Sequence, residues 1–310
     1  MIKALSDNRL LLDCTPVIYA SNKVLAYHKK LIENQDFSYQ SCKSADDAVH
    51  KKVNVINLWD EEIKFELGQP TQLGGKYAFK SLEAATQDLA SGKIDVLVTA
   101  PISKEAMALS GFQFPGHTEY LANLAGQEDA LMLMVADDLR VALVTTHVAI
   151  KEVSSMLTKE RIVAKIAELD KSLRRDFGIQ KPKIAVFGLN PHAGENGKMG
   201  SEENDIIVPA IRQANSKGHL AFGPYPADGF FGSNARNQFD AVLAMYHDQG
   251  QIAIKLMGFS RGVTVQGGLP IPITTPAHGT AFDIAGQGKA NPGAIRQAFQ
   301  IACRMGSNRR

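Results

Sequence analysis

The chain has 310 residues, of which 45% are apolar and 21% charged, a composition typical of a globular protein with about two domains. Lysine and arginine number 34 against 32 acidic residues, and the net charge of +2 argues against a nucleic-acid partner. Three cysteines without metal-type spacing indicate a reducing compartment, and no signal peptide or membrane-length apolar run is present, so we expect a cytoplasmic protein without a membrane partner.

Strand-like apolar runs alternate with helical patterns along the chain, which predicts βαβ units and mostly parallel sheets. Residues 1–5 read as a helix with no strand before it, whereas a doubly wound sheet normally opens with a strand. Residues 307–310 are expected to form a short solvated tail. The predicted strands are Thr15–Tyr19, Val53–Leu58, Ile94–Thr99, Leu131–Val135, Val141–Thr145, Ile184–Leu189 and Ala241–Met245, and the predicted helices are Leu82–Leu89, Thr118–Ala125, Lys159–Phe177, Asn204–Asn215 and Ala294–Met305.

Two motifs in the first half of the chain suggest an anion site. Lys104, in the sequence TAPISK, stands near a predicted helix N-terminus, against the helix dipole, which hints at a nearby anion. His117 and Thr118, in the sequence GHTE, offer imidazole and hydroxyl donors at a helix start, an arrangement that suits phosphate or carboxylate. The alternatives are an ordinary surface lysine and a plain N-cap at Thr118.

Three histidines, His147, His192 and His247, each follow a strand-like run. In open α/β sheets, ligands bind outside the carboxyl ends of the strands. Three neutral imidazoles gathered there would provide nitrogen donors for zinc, iron, cobalt or nickel. One histidine at a strand end is more often a polar core or capping residue, so the metal-site prediction depends on the recurrence.

Two charged residues follow the third histidine. Asp248 can orient the imidazole of His247 or act as a base, and the alternative is an aspartate that caps the next helix. Lys255 can pair with an anionic group of a substrate, and the alternative is a solvated lysine.

A loop rich in small residues, residues 278–291, precedes the last predicted helix. Gly279, Ala281 and Gly286 would let the backbone approach a flat or phosphorylated ligand closely. The alternative is a flexible connection without a ligand. A GxGxxG fingerprint is absent from the chain, so a standard Rossmann site is not indicated.

Together these motifs closely resemble the 4-hydroxythreonine-4-phosphate dehydrogenase family of vitamin B6 biosynthesis. TAPISK, GHTE, TTH, NPHAGE, PADGFF, MYHDQG and HGTAFDIAG occur in the order of the family over nearly the whole chain. The resemblance implies an α/β fold like that of isopropylmalate dehydrogenase, with two α/β/α domains, mostly parallel sheets and an active site in the interdomain cleft. It implies a discontinuous NAD-side domain, 1–118 plus 258–310, that lacks its first strand, and a metal and dimerisation domain, 119–257.

The resemblance further implies oxidation of a 4-phosphorylated β-hydroxy acid by NAD or NADP, followed by loss of carbon dioxide. The protein would be a homodimer, with a zinc, cobalt or magnesium site shared between the subunits. The implied metal ligands are His147, His192 and His247, and the candidate proton carriers are Lys104 and Asp248. The implied substrate-binding positions are His117, Thr118, Lys255, Thr264 and Ile273. The implied coenzyme-binding residues are His278, Gly279, Ala281, Asp283, Gly286 and Asn291.

Two departures from the family pattern affect the expected substrate and activity. Thr264 stands where the family usually has Asn, and Ile273 stands where it usually has Arg, which binds anions bidentately. The substrate would therefore be 4-phosphohydroxy-L-threonine or, alternatively, 4-phospho-D-threonate, 4-phospho-D-erythronate or a cyclic dihydrodiol dicarboxylate. The missing first strand, which carries a Gly-Asp-Pro-like turn in relatives, leaves a non-catalytic metal-binding relative as another alternative. Three histidine ligands would also suit a metal hydrolase. That alternative is disfavoured because a hydrolase would not use the NAD-type loop.

Overall fold

A computed structural model describes residues 1–32, 36–64, 66–127 and 130–310. The chain forms two compact units, unit 1 (Met1–Glu128 and Ile271–Gly306) and unit 2 (Asp129–Pro270 and Ser307–Arg310). The helices are α1 (Ile2–Leu5), α2 (Leu10–Asp13), α3 (Asn22–Leu31), α4 (Gln72–Ala90), α5 (Lys104–Leu109), α6 (His117–Leu124), α7 (Val153–Met156), α8 (Lys159–Phe177), α9 (Val208–Ser216), α10 (Ala227–Phe231), α11 (His247–Gly258) and α12 (Gly293–Asn308). The strands are β1 (Val17–Ala20), β2 (Gln40–Cys42), β3 (Asn54–Asn57), β4 (Leu97–Val98), β5 (Leu131–Ala136), β6 (Leu139–Leu143), β7 (Lys183–Phe187), β8 (Leu220–Tyr225), β9 (Ala241–Ala244), β10 (Val263–Gly267) and β11 (Ile273–Pro276).

The predicted α/β architecture with mostly parallel strands is confirmed, and every predicted strand and helix overlaps an observed element. The first and last residues of these elements differ from the predicted ones because the exact ends of strands and helices depend on tertiary contacts. The predicted helix Asn204–Asn215 begins as one π-helical turn, Glu203–Ile207, which continues into α9. Strands β2, β8, β10 and β11 were not predicted from the sequence.

Unit 1 contains a three-stranded parallel sheet in the order β1-β3-β2. Its core joins the buried side chains of Ile18, Val55 and Phe37 to Leu5 of α1, so the predicted opening helix is confirmed and belongs to this core. A second parallel pair in the same unit joins β4 to β11, with Ile273 opposite Leu97. Apolar burial therefore stabilises the three-stranded sheet of the unit.

Unit 2 contains six neighbouring strands in the order β10-β5-β6-β9-β7-β8. Strands β10, β5 and β6 are antiparallel neighbours, and β6, β9, β7 and β8 run parallel to one another. Asp137, with φ of 52°, makes the tight turn of the β5–β6 hairpin, a conformation that Asp tolerates better than most residues. The three parallel strands β6, β9 and β7 are buried, as expected for central strands of an α/β sheet.

Helix α8 illustrates how local sequence and packing agree. The Oγ1 of Thr158 accepts a hydrogen bond from the Arg161 N–H at 3.1 Å, and Gly178 ends the helix in the left-handed conformation with φ of 71°. The apolar stripe of the helix, which includes Ile162 and Leu169, is buried. The prediction of this helix is confirmed at both ends.

The expectation that residues 307–310 form a solvated tail is wrong for Arg309. The buried carboxylate of Asp176 accepts hydrogen bonds from Arg309 Nε at 2.7 Å and from Ser172 Oγ at 2.6 Å. Arg309 also donates to the carbonyl oxygen of Pro270 at 2.6 Å. A buried carboxylate requires such partners, and the basic tail supplies one at a distance in sequence that composition alone does not reveal.

Replacing Arg309 with alanine is expected to lower the free energy of unfolding by about 2–3 kcal/mol, because it leaves Asp176 buried with fewer donors. The exposed Arg304 of α12 is the matched control, and its replacement with alanine is expected to change stability by less than about 0.5 kcal/mol. Thermal and urea unfolding of the three proteins would measure the difference. Equal losses in both variants would contradict the role assigned to Arg309.

Candidate active site

His147 and His247 lie at the carboxyl ends of the neighbouring parallel strands β6 and β9. The backbone pairing continues past both strands, because Thr145 donates from its N–H at 3.1 Å and from its Oγ1 at 2.8 Å to the carbonyl oxygen of Met245. Two residues further along each segment, the imidazole centroids of His147 and His247 are 6.0 Å apart. Two imidazoles bound to one tetrahedral ion would have centroids about 5 Å apart, given metal–nitrogen distances of about 2.0–2.1 Å. The observed separation is therefore about 1 Å longer than that of two ligands of one ion.

Asp248 contacts the ring of His247. Its Oδ1 lies 2.7 Å from His247 Nδ1, which leaves the Nε2 of that imidazole free of this contact. The N-cap residue of α11 is Tyr246, which makes no side-chain capping hydrogen bond, so Asp248 occupies the first turn of the helix instead of the cap position. This geometry fits a carboxylate that orients an imidazole. Lys255 lies exposed on the same helix.

His192 follows β7 on a turn of unusual handedness. Residues 192–196 all have positive φ angles, from 41° at Glu195 to 77° at Gly194. For residues other than glycine, the left-handed conformation costs about 1–2 kcal/mol each. Gly194 avoids that cost, but the other four residues do not. Pro191 and Gly194 suit a tight turn, and its conformation requires support from outside the segment.

The buried side chain of Glu203, which is 3% exposed, supplies that support. Its Oε1 accepts hydrogen bonds from the backbone N–H groups of Leu189 and Asn190, both at 2.8 Å. Its Oε2 accepts from Asn190 Nδ2 at 3.0 Å, and Glu202 Oε2 accepts from the same amide at 2.8 Å. A Cβ on Gly194 would lie 2.4 Å from Glu203 Oε2, so the turn packs directly against this carboxylate.

Gln249 joins the segments of His247 and His192. Its Oε1 accepts from the Met245 N–H at 2.7 Å, and its Nε2 donates to the carbonyl oxygen of Gly188 at 2.7 Å. Sequence reasoning missed both Gln249 and Glu203. The only signal for Gln249 was its place in the MYHDQG motif, and nothing local distinguishes Glu203 from its acidic neighbours.

The structure thus places the three histidines beyond three adjacent parallel strands, in the order β6-β9-β7. It brings His147 and His247 together and presents His192 on an exposed turn. Within residues 1–32, 36–64, 66–127 and 130–310, no group of three His, Cys, Asp or Glu residues is close enough to hold a metal. His192 therefore does not complete a three-ligand site with the other two within this chain.

Lys104 lies beside Gly116, the residue that precedes His117, in unit 1. A Cβ on Gly116 would lie 3.2 Å from Glu119 Oε2 and 4.0 Å from Lys104 Nζ, so the TAPISK and GHTE motifs meet at this glycine. Helix α6 begins at His117 with Gly116 as its N-cap residue, so Thr118 lies inside the first turn and is not the N-cap. Burial lowers the pKa of His117 to about 4, which makes this imidazole a neutral hydrogen-bonding group near pH 7.

The pKa of His117 predicts a pH-dependent stability. Because the folded-state pKa of about 4 lies below the ordinary value of 6.5, the stabilisation is complete above pH 6.5 and is lost as the pH falls towards 4. We expect up to about 3 kcal/mol of the free energy of unfolding to be lost over this range. Thermal unfolding of the wild type and of His117→Asn from pH 7 to pH 4 would measure it. Equal slopes in the two proteins would contradict the lowered pKa.

The loop 278–291 in unit 1 is open to solvent. No atom of the described chain lies within 4 Å of the position that a Cβ on Gly279 would occupy, whereas Gly286, with φ of 75°, packs against Leu67. Asn291 Oδ1 accepts from the Gly293 N–H at 2.8 Å and so fixes the start of α12. The predicted coenzyme-binding residues are all exposed, namely His278, Gly279, Ala281, Asp283, Gly286 and Asn291.

Thr264 and Ile273, the two positions that depart from the family pattern, both lie in strands. Thr264 is half-buried in β10, opposite Met134 of β5. Ile273 is 4% exposed in β11, opposite Leu97. A guanidinium at position 273 would need a compensating anion, because burial of an unpaired charge is costly.

Comparisons with known proteins agree on one family. The sequence model described as Pyridoxal phosphate biosynthetic protein PdxA matches residues 12–302. The 4-hydroxythreonine-4-phosphate dehydrogenase of Bacteroides thetaiotaomicron is 44% identical over 310 residues, which are 100% of this chain and 85% of the relative. A 1.25 Å crystal structure of the Klebsiella pneumoniae enzyme of that name superposes with a TM-score of 0.83 at 33% identity and covers 97% of this chain and 94% of its own. A terephthalate 1,2-cis-dihydrodiol dehydrogenase from Burkholderia xenovorans, 24% identical, covers 98% of this chain and 94% of its own with a TM-score of 0.66, and so shares the fold.

Proposed function

The chain belongs to the family of pyridoxal phosphate biosynthetic protein PdxA, and we propose from this premise that it is an NAD-dependent 4-hydroxythreonine-4-phosphate dehydrogenase that oxidises and decarboxylates its substrate. The observation that carries the proposal is the close approach of His147 and His247 beyond two parallel strands, in a chain similar to enzymes of that name over its full length. Homologues of that name are oxidoreductases of pyridoxal phosphate biosynthesis.

His147, His192 and His247 would hold the divalent metal, which when bound polarises the oxygens of the substrate and stabilises the negative charge left by decarboxylation. The donor chemistry fits, because three imidazoles favour zinc or cobalt over magnesium, which prefers oxygen ligands. The 6.0 Å spacing of the His147 and His247 rings supports a shared ion. The contact of Asp248 with His247 Nδ1 would keep the ring nitrogen Nε2 available as the ligand.

The remaining predicted residues supply binding and proton transfer. Lys104 carries a positive charge beside Gly116, and the neutral His117 and the hydroxyl of Thr118 would donate hydrogen bonds to phosphate oxygens at the start of α6. Lys255 would pair with an anionic group of the substrate. NAD would bind against the exposed loop 278–291, where the open space beside Gly279 allows close approach to the backbone.

We also propose a homodimer in which the metal site is shared between subunits. Helix α11, which begins at His247, exposes Ile252 and Leu256 by 58% and 82%, and its C-cap residue Phe259 is 74% exposed. Their spacing of four and three residues places them on one face of the helix segment. An exposed apolar face of this kind marks an interaction surface, and a second copy of the chain would cover it. A shared site would need histidines from two chains, which agrees with the separation of His192 from the other two histidines within one chain.

The experiment that tests the function is NADH formation by the metal-loaded protein with two substrates side by side, 4-phosphohydroxy-L-threonine and 4-phospho-D-threonate. Turnover of the first supports the proposal. Turnover of only the second supports a second candidate, a sugar-acid dehydrogenase, which the departures at Thr264 and Ile273 favour because they remove an anion-binding side chain. Failure of both substrates, with metal still bound, would leave a non-catalytic relative.

A further inference from the structure

We propose that Glu203 is a positioning residue for the metal ligand His192, and that Gln249 fixes the start of its turn against the end of β9. The inference rests on the proposed function, because it concerns a residue assigned to the metal. It goes further by naming two side chains that touch neither substrate nor metal and yet determine whether His192 is correctly placed. Both side chains lie in unit 2 with the three histidines.

The first step of the argument is that the turn cannot keep its shape from its own sequence. Residues 192–196 are all left-handed, and of these only Gly194 adopts such angles without strain. His192 and its neighbours Ala193, Glu195 and Asn196 would relax towards ordinary backbone angles in a turn without external contacts. A relaxed turn would redirect the His192 side chain, so the geometry of this ligand depends on what the turn packs against.

The second step is that the turn is built around one carboxylate. Glu203 Oε1 accepts from the N–H groups of Leu189 and Asn190, the residues that lead into the turn. A Cβ on Gly188 would come within 3.0 Å of Oε1, and one on Gly194 within 2.4 Å of Oε2. The chain from residue 188 to residue 194 therefore encloses the Glu203 carboxylate, and both glycines are needed for this approach.

The third step concerns how the His192 turn is attached to the sheet. Gln249 stands two residues after His247, accepts from the Met245 N–H and donates to the Gly188 carbonyl oxygen, both at 2.7 Å. Gly188 is where the segment that encloses Glu203 begins. One amide therefore couples the end of β9 to the start of the His192 turn. Replacement of residues that support the ligands of a metal, without touching the metal, commonly changes the affinity of the protein for that metal 10–100-fold.

The test is the affinity of the metal-free full-length protein for Co²⁺, measured by competition with a chelating dye and by the visible absorption of the bound ion. Glu203→Gln keeps the shape of the side chain but removes its charge. It also places the NH₂ group of the new amide against Asn190 Nδ2, so that two hydrogen-bond donors face each other. We expect Glu203→Gln to weaken Co²⁺ binding by 10–100-fold and to alter the absorption spectrum. Gln249→Ala and Asn190→Ala are expected to weaken it in the same direction, which keeps the proposal testable if Glu203→Gln does not fold.

Two controls separate positioning from general destabilisation. Asp176→Asn changes another fully buried, hydrogen-bonded carboxylate of the same unit and is expected to lower Tm while Co²⁺ affinity stays at the wild-type value. In a His192→Ala background, Glu203→Gln is expected to cause no further loss of Co²⁺ affinity, because its effect passes through that ligand.

Wild-type Co²⁺ affinity and spectrum in folded Glu203→Gln, or in both of the other variants, would overturn the inference and leave the proposed function standing. Equal weakening by Asp176→Asn, or a full effect of Glu203→Gln without His192, would also overturn it. A wild-type protein that binds no Co²⁺ would overturn both this inference and the proposed metal site.

Discussion

His247→Ala is expected to lower kcat for NADH formation by about a thousandfold, and His192→Ala is expected to do the same. A bound metal contributes several kcal/mol to stabilisation of the transition state, and about 4 kcal/mol corresponds to a factor of a thousand in rate. Both residues follow buried strands and lie at or near the protein surface, so their replacement should leave the Tm of the metal-free protein almost unchanged. The loss should therefore appear in metal content and rate, and not in the stability of the metal-free protein.

The matched control for these variants is His50→Ala. His50 is an exposed histidine whose Nδ1 lies 3.2 Å from Thr15 Oγ1 in unit 1, away from every predicted site residue in the sequence. Its replacement is expected to leave metal content and kcat unchanged. Atomic absorption and steady-state assays would provide both values. Stoichiometric metal and a wild-type rate in His247→Ala would refute the assignment of this residue as a ligand.

Leu256→Glu combined with Phe259→Glu is expected to convert a homodimer into monomers. Replacement of an interface hot-spot residue costs about 2 kcal/mol or more, so with Leu256 and Phe259 as such residues the pair should raise the dissociation constant of the dimer by about a thousandfold. Sedimentation velocity and light scattering would measure the change. Leu12→Glu, at a leucine of α2 that is equally open to solvent in unit 1, should leave the dimer intact.

Mixing of two inactive variants tests whether the site is shared. If His192 and His247 of one site come from different subunits, a dimer of one His192→Ala chain and one His247→Ala chain has one site with both histidines and one site with neither. Half of the dimers in an equal mixture are of this kind, so about a quarter of the wild-type activity should return. No recovery after verified subunit exchange would contradict a site divided between these two residues, and a monomeric wild type would contradict the homodimer.

The parts of the fold that follow from local patterns were predictable from the sequence. Helix α8 could be placed at both ends because Thr158 caps it and Gly178 stops it, and its apolar stripe has the helical period. Strands β6, β7 and β9 could be found because buried parallel strands form short continuous apolar runs. Strand β8 was missed because Gly223 and Pro224 interrupt it, which an edge strand tolerates.

The residue types of the candidate site and the strands that they follow could be predicted from the sequence. The residues that hold the His192 turn in its conformation could not. Sequence spacing indicated that histidines follow three parallel strands, because the apolar runs are local. The left-handed turn of His192 could not be inferred, since only Gly194 and Gly197 favour it and the rest is imposed by Glu203. Arg309 was misjudged for the same reason, because its partner Asp176 is 133 residues away in the chain.

The neighbouring strands β6 and β9 also determine when during folding the protein can first recognise a metal. His147 and His247 are 100 residues apart in sequence, and their segments meet only after a long loop has closed and β9 has joined the sheet. The unfolded chain therefore presents no preformed pair of imidazoles, in contrast to small zinc domains whose ligands are close in sequence. Added Zn²⁺ is expected to slow unfolding of the folded protein and to leave the rate of refolding unchanged, because it binds the pair in the folded protein and not the unfolded chain.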